Sequence, residues 1–131
     1  MALPNGAGGY QLGDGNLTEI NIVTQTAPTA KTAAAILTAA ELATGIITFN
    51  GTAGALTVPT GALLDAAFPS MKVNSCFEFT IINTDDTDTA TVTASTGCTL
   101  VGVAAVIAAT SCIWRVRKTG DATYVFYRIA A

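Results

Sequence analysis

The sequence predicts an all-β fold, a jelly-roll-like antiparallel β-sandwich with one or two short helices and an extended N-terminal arm. Three observations predict it. Half of the 131 residues are hydrophobic and only 11% are charged. Short apolar segments alternate with polar residues, as half-buried strands do. Turn residues interrupt these segments at short intervals, which is typical of sandwiches and barrels. A chain of this length makes one domain with a sizeable core.

Residues 1–18 differ in composition from the rest of the chain. Pro4 and five glycines break any regular element there. Apolar side chains nevertheless recur along the segment, and a plain linker would not need them. We therefore expect an extended arm over 1–18 and a β-sandwich domain over 19–131, with a frayed terminus as the alternative to the arm. The arm residues expected to bind a partner are Leu3, Pro4, Tyr10, Leu12 and Leu17.

The first half of the predicted domain contains short strands and one helical turn. Alternation of apolar and polar residues begins at Glu19. Thr38 and Glu41 have the spacing of a capping box, which predicts a helical turn over Ala39–Ala43. Asn50 and Gly51 are typical of a tight hairpin turn. The strands expected in this half begin at residue 19 and cover 31–37, 46–49 and 55–58.

The second half contains one helix and the remaining strands. Thr60 can cap a short helix with Leu64 and Phe68 on one face, and Pro69 ends that helix. In the strands over 75–83 and 111–118, alternate residues are large and apolar, so Trp114 is expected to point inward. The strands expected here cover 75–83, 90–94, 98–101, 103–108, 111–118 and 122–129, and the last two form the clearest hairpin.

The composition disfavours an enzyme. The chain has no histidine, which is the residue that most often carries acid–base chemistry near neutral pH. Metal-dependent jelly-roll enzymes typically need several histidines, so we expect no catalytic residues, no metal and no cofactor. The three cysteines form no C-x-x-C motif and are expected to be buried reduced thiols.

The charge and the apolar pattern also bear on partners. The net charge of −3 disfavours a nucleic-acid partner, because phosphate binding needs a basic surface. No apolar run approaches the length of a membrane span, so no membrane partner is expected. The N-terminus lacks the features of a signal peptide, which favours synthesis in a cytoplasm.

Two groups of charged residues are candidate sites. Asp85, Asp86 and Asp88 lie in one polar loop and are interpreted as a turn, with a cation site as the alternative. The last hairpin holds most of the basic residues, which could face an acidic partner. The alternative is an ordinary solvated face neutralised by neighbouring acids. The residues of this possible acidic-partner patch are Arg115, Arg117, Lys118 and Arg128.

Several segments of the chain resemble small virion proteins of tailed bacteriophages. The first is the glycine-rich sequence of 3–16, Leu-Pro-Asn-Gly-Ala-Gly-Gly-Tyr-Gln-Leu-Gly-Asp-Gly-Asn. The others are Leu-Thr-Val-Pro-Thr-Gly at 56–61 with Leu-Leu-Asp-Ala-Ala at 63–67, Cys-Phe-Glu-Phe-Thr-Ile-Ile-Asn at 76–83, and 114–120 with 127–129. These segments are spread along most of the length of the chain, from residue 3 to residue 129.

This resemblance implies a decoration, or cement, protein of a phage head. Such proteins are commonly small β domains that bind the outside of the expanded shell as dimers or trimers, with arms that cross neighbouring subunits of the major capsid protein. The implied location is the outer capsid surface of the virion. A trimer is favoured here and a dimer is the alternative. A fibre, knob or glycan-binding module is the competing function, although it would need exposed aromatic residues.

Overall fold

Ten short strands and two helices make up residues 22–131, the part of the chain that the computed structural model describes. The strands are β1 (Thr29–Lys31), β2 (Ala35–Ile36), β3 (Ile46–Phe49), β4 (Gly54–Thr57), β5 (Cys76–Asn83), β6 (Ala90–Thr93), β7 (Cys98–Val101), β8 (Ala105–Val106), β9 (Ser111–Gly120) and β10 (Thr123–Ala130). The helices are α1 (Ala39–Ala43) and α2 (Gly61–Ala67).

The strands form two mixed sheets. One has six strands in the order β1-β3-β5-β9-β10-β7, and the other has four in the order β2-β4-β6-β8. From β1 to β6 the chain changes sheet at every strand. Each strand therefore runs in the same direction as the previous strand of its own sheet. The pairs β1–β3, β3–β5, β2–β4 and β4–β6 are all parallel.

The predicted antiparallel jelly roll is therefore wrong, although the fold is rich in β-structure. The antiparallel pairs within residues 22–131 are β5–β9, β9–β10 and β6–β8, and β7 joins β10 in parallel. The Asn50-Gly51 turn is not a hairpin but carries the chain from β3 in one sheet to β4 in the other. A Cβ atom on Gly51 would lie 1.8 Å from the carbonyl oxygen of Thr32, because this turn stacks on the turn that follows β1.

Three successive turns of the chain stack in register. Ile47 pairs with Thr29 on one side and with Ile81 on the other. In the second sheet, Leu56 pairs with Ala35 and with Val92. The helices α1 and α2 supply the crossovers that parallel pairing requires. The sequence shows no convincing internal repeat, because the matched positions lie at unequal spacings and carry different side chains.

The predicted helix caps and the last hairpin are confirmed, although the predicted topology is wrong. Thr38 and Glu41 form the expected capping box at α1, and Thr60 caps α2. The β9–β10 hairpin is confirmed. The strand expected from Glu19 is wrong where it can be seen, since residues 22–28 are exposed and belong to no strand. Its first residues lie outside the described part of the chain.

One hydrophobic core joins both sheets and both helices. Phe79, Trp114 and Phe126 of the six-stranded sheet pack with Leu56 of the four-stranded sheet and Leu64 of α2, all at 1% exposure or less. The inward alternation predicted for β5 and β9 is confirmed by their burial patterns. Burial of large aromatic side chains dominates the energetics of such a core.

Candidate functional site

Two of the four basic residues of the predicted patch lie together on the outer face of the six-stranded sheet. Arg115 pairs with Glu78 across β5 and β9, and its Nε atom lies 2.8 Å from the carboxylate. The guanidinium of Arg117 donates to the hydroxyl of Tyr127 at 2.8 Å and to the side-chain oxygen of Asn74 at 2.7 Å. Both cations are thus engaged within the chain.

The other two basic residues lie on the inner side of the same sheet. Lys118 pairs in register with the buried Tyr124, and Arg128 pairs with the buried Trp114. The Nζ atom of Lys118 lies 3.0 Å from Asp65 of α2. Arg128 donates to the backbone carbonyl of Val103 at 2.9 Å, and so connects β10 to the segment before β8. The structure therefore brings together two of the four predicted patch residues and separates the others by strand alternation.

Asp65 is the centre of a hydrogen-bonded cluster that the sequence did not indicate. Its carboxylate accepts from the hydroxyl of Tyr124 at 2.7 Å, from Lys118, and from the backbone N–H of Ala122 at 2.7 Å. These donors, the Tyr124 hydroxyl first, hold the pKa of Asp65 below its ordinary value. The contacts fasten α2 to the β9–β10 loop, which is a structural arrangement.

In the acidic loop, the carboxylate of Asp85 accepts hydrogen bonds from backbone N–H groups of the same loop. The Oδ1 atom of Asp85 accepts from the N–H groups of Thr87 and Asp88, both at 2.9 Å, and these two bonds lower the pKa of Asp85. Asn83 fixes the start of the loop by accepting from the N–H of Asp85 at 3.0 Å. Within residues 22–131 no group of three or more His, Cys, Asp or Glu side chains has the placement of a metal site. This geometry is that of a turn.

The three cysteines are all free thiols. Cys112 is buried and Cys98 half-buried, and burial raises the pKa of both thiols. Cys76 is exposed, so the expectation of three buried thiols is wrong for this residue.

Among residues 22–131, β7 and β8 are edge strands of the two sheets, and exposed apolar residues lie at this end of the molecule. We call this end the β7–β8 pole. Its large exposed side chains are Val101, Val103, Ile107 and Ile129. Three of them, Val103, Ile107 and Ile129, line a shallow groove of about 430 Å³. The other lining residues are Gly102, Ala105, Arg128, Ala130 and Ala131. The sequence signal for this surface was the apolar sequence on either side of Gly102, which was interpreted as two strands over 98–101 and 103–108.

Residues 22–28 form the second exposed apolar feature, which we call the extended segment. Ile22 is 86% exposed and Val23 is 77% exposed. The side-chain amide of Gln25 donates to the backbone carbonyl of Thr44, which ties the segment to the start of β3. Strand β1 begins directly after it, at the edge of the six-stranded sheet opposite to β7.

The predicted arm residues Leu3, Pro4, Tyr10, Leu12 and Leu17 lie outside the described residues. Over residues 22–131, neither helix has the length or the apolar character to cross a membrane. Comparisons with protein families, with curated proteins and with solved structures found no match to this chain.

Proposed function

We propose that this chain is a non-enzymatic virion structural protein, a decoration or cement protein that binds the outer surface of a mature phage head and stabilises the shell. The observation that carries the proposal is the exposure of apolar side chains at the β7–β8 pole, where both sheets end among residues 22–131, and on residues 22–28. Exposed apolar patches of this kind mark surfaces that other proteins cover. The resemblance of the sequence to small phage virion proteins supports a phage head as the assembly that this surface joins.

The charged residues support an assembly role in a second way. Arg115, Arg117, Lys118 and Asp65 each contact a partner within the chain, and those contacts join one element to another. An enzyme would be expected to hold titratable groups in a cleft with a reacting atom within reach. The charged side chains described here instead form contacts that join strands and helices to one another.

The mechanism is stabilisation by linkage. A protein that binds the expanded shell but not its precursor lowers the free energy of the expanded state by its binding free energy. Because many copies bind one shell, small contributions sum over the lattice and resist the pressure of packed DNA. Residues 1–18 add contacts to the major capsid protein by extending along exposed backbone edges.

The best candidate residue for the competing function, a glycan-binding module, is buried. Trp114, the single tryptophan of the chain, is fully buried and contacts Cys112 through its indole N–H. It offers no stacking surface for a sugar ring.

A binding assay with expanded heads that lack this protein tests the proposal. The full chain should co-sediment with such heads and raise the temperature at which they disrupt. A chain lacking residues 2–15 should stay folded and bind at least roughly tenfold more weakly, which is about 1.4 kcal/mol. Leu63→Ser, an exposed change on α2, is the matched control and should bind like the unaltered chain.

Different outcomes of this assay would contradict the decoration function and the role of residues 2–15. If the full chain does not bind expanded heads at all, the decoration function is contradicted. If the truncated chain binds as well as the full chain, only the role of residues 2–15 is contradicted.

A further inference from the structure

The first half of β5 has an open edge on the side of α1. Strand β3 pairs with β5 from Thr80 onward, where the N–H of Thr80 donates to the carbonyl of Gly45 at 2.9 Å. Backbone groups two residues apart in a strand point to the same side, so the N–H of Glu78 is directed to this edge as well. Among residues 22–131, no backbone carbonyl accepts from Glu78 there. The edge can therefore take one more extended segment.

A pocket of about 310 Å³ lies beside this open edge. The rings of Phe68 and Phe77 pack together in its wall, with their centroids 5.1 Å apart. Glu78 is at the rim, and its carboxylate is already paired with Arg115. The pocket therefore suits an apolar side chain better than a charged one. Its lining is mostly apolar and includes Leu42, Phe68, Met71, Cys76, Phe77 and Glu78.

The described part of the chain begins next to this pocket. The side-chain amide of Gln25 donates to the carbonyl of Thr44, which directly follows Ala43, another lining residue. Ile20 precedes Gln25 by five residues, and five fully extended residues reach about 17 Å. A segment tethered at this distance acts at an effective concentration in the millimolar range. It therefore occupies the pocket ahead of any free molecule present at a lower concentration.

We propose that residues 19–21 bind along the open edge of β5 in the same molecule, with the side chain of Ile20 filling the pocket between Leu42, Phe68 and Phe77. The contact fixes the point from which residues 1–18 leave the domain, which goes beyond the decoration function. It involves one chain and is measured without a capsid, so its failure and that of the decoration function are distinguishable.

Cys76 reports whether the pocket is covered, because its thiol lines the pocket. The test measures the rate at which iodoacetamide alkylates Cys76 in the folded protein, by mass spectrometry of peptides. Ile20→Asp should raise this rate at least roughly tenfold over that of the unaltered chain, because a charged side chain opposes docking in an apolar pocket. Val23→Asp, at a residue that is 77% exposed, is the matched control and should leave the rate unchanged.

Two further comparisons separate docking from unfolding. The buried Cys112 should stay unreacted in every variant, and Ile20→Ser repeats the test with a milder change if Ile20→Asp exposes Cys112. A chain lacking residues 2–15 retains Ile20 and should protect Cys76, whereas a chain lacking residues 2–21 should not. Equal Cys76 rates in the unaltered chain and the Ile20 variants, an equal acceleration by Val23→Asp, or equal rates in the two truncated chains would each overturn the proposal.

Discussion

Asn83 shows how one side chain organises the third turn of the chain. It is the buried polar residue at the end of β5, with 1% exposure. Its amide nitrogen donates to the carbonyls of Asp88 at 2.8 Å and Val106 at 2.9 Å, while its oxygen accepts from the N–H of Asp85. The side chain thereby joins β5, the acidic loop and β8.

Asn83→Ala should destabilise the protein by about 2–4 kcal/mol, because it leaves two carbonyls and one N–H without partners in a buried site. Urea unfolding of the variant and of the unaltered chain measures this difference. Asn50→Ala, at an exposed turn residue, is the matched control and should change stability by less than about 0.5 kcal/mol. Equal stability of Asn83→Ala and the unaltered chain would contradict the role given to this amide.

Asp65 predicts a dependence of stability on pH. Because its pKa is lowered in the folded state, the ionised carboxylate contributes stability above the ordinary pKa of 3.8, and this contribution is lost as the pH falls through the lower folded value. Asp65→Asn removes the charge, so the unaltered chain should be the more stable of the two near neutral pH. The gap between them should narrow below pH 3.8.

Denaturant unfolding of both proteins over an acid pH series measures that gap. Asp86→Asn, an exposed change in the acidic loop, serves as the matched control. A gap that widens as the pH falls would show that the Tyr124, Lys118 and Ala122 contacts do not favour the ionised carboxylate.

At the scale of elements, helix α2 is fitted closely against the β9–β10 loop. Gly61 begins α2, and a Cβ atom there would lie 1.8 Å from the carbonyl oxygen of Ala122. The backbone of Ala122 has a φ of 50°, and its N–H is bonded to Asp65. Neither side of this contact can move without loss of another contact.

Gly61→Ala should therefore destabilise the protein by at least about 2 kcal/mol, because overpacking against backbone cannot be relieved by a rotamer change. Gly120→Ala is the matched control, since the nearest atom to its added Cβ lies 4.0 Å away. Thermal unfolding should show a lower melting temperature for Gly61→Ala and a small change for Gly120→Ala. Equal effects of the two changes would contradict the close approach.

At the scale of the whole molecule, local signals predicted elements but not their arrangement. The capping box at Thr38, the Thr60 cap and the alternation around Trp114 depend on neighbouring residues, and the structure has these features where they were expected. Which of the two sheets a strand joins depends on the direction in which the preceding turn leads the chain. Nothing near Asn50 and Gly51 distinguishes a hairpin from a turn that changes sheets, because the deciding contact is with the distant Thr32.

The candidate surfaces were predictable only in part. The basic residues of the last hairpin could be located from the sequence, but their separation follows from strand register, which places Lys118 opposite Tyr124 and Arg128 opposite Trp114. Val103 and Ile107 are exposed beside β7 and β8, which are edge strands among residues 22–131, and strand order is not a local property.

The number of copies in the virion tests the decoration function most directly. Quantitative mass spectrometry of purified virions should find this protein in a ratio to the major capsid protein of the same order as the shell subunits, with the ratio distinguishing three-fold from two-fold sites. A few copies per virion would place the protein at a tail, vertex or fibre, and its absence from virions would contradict the function proposed here.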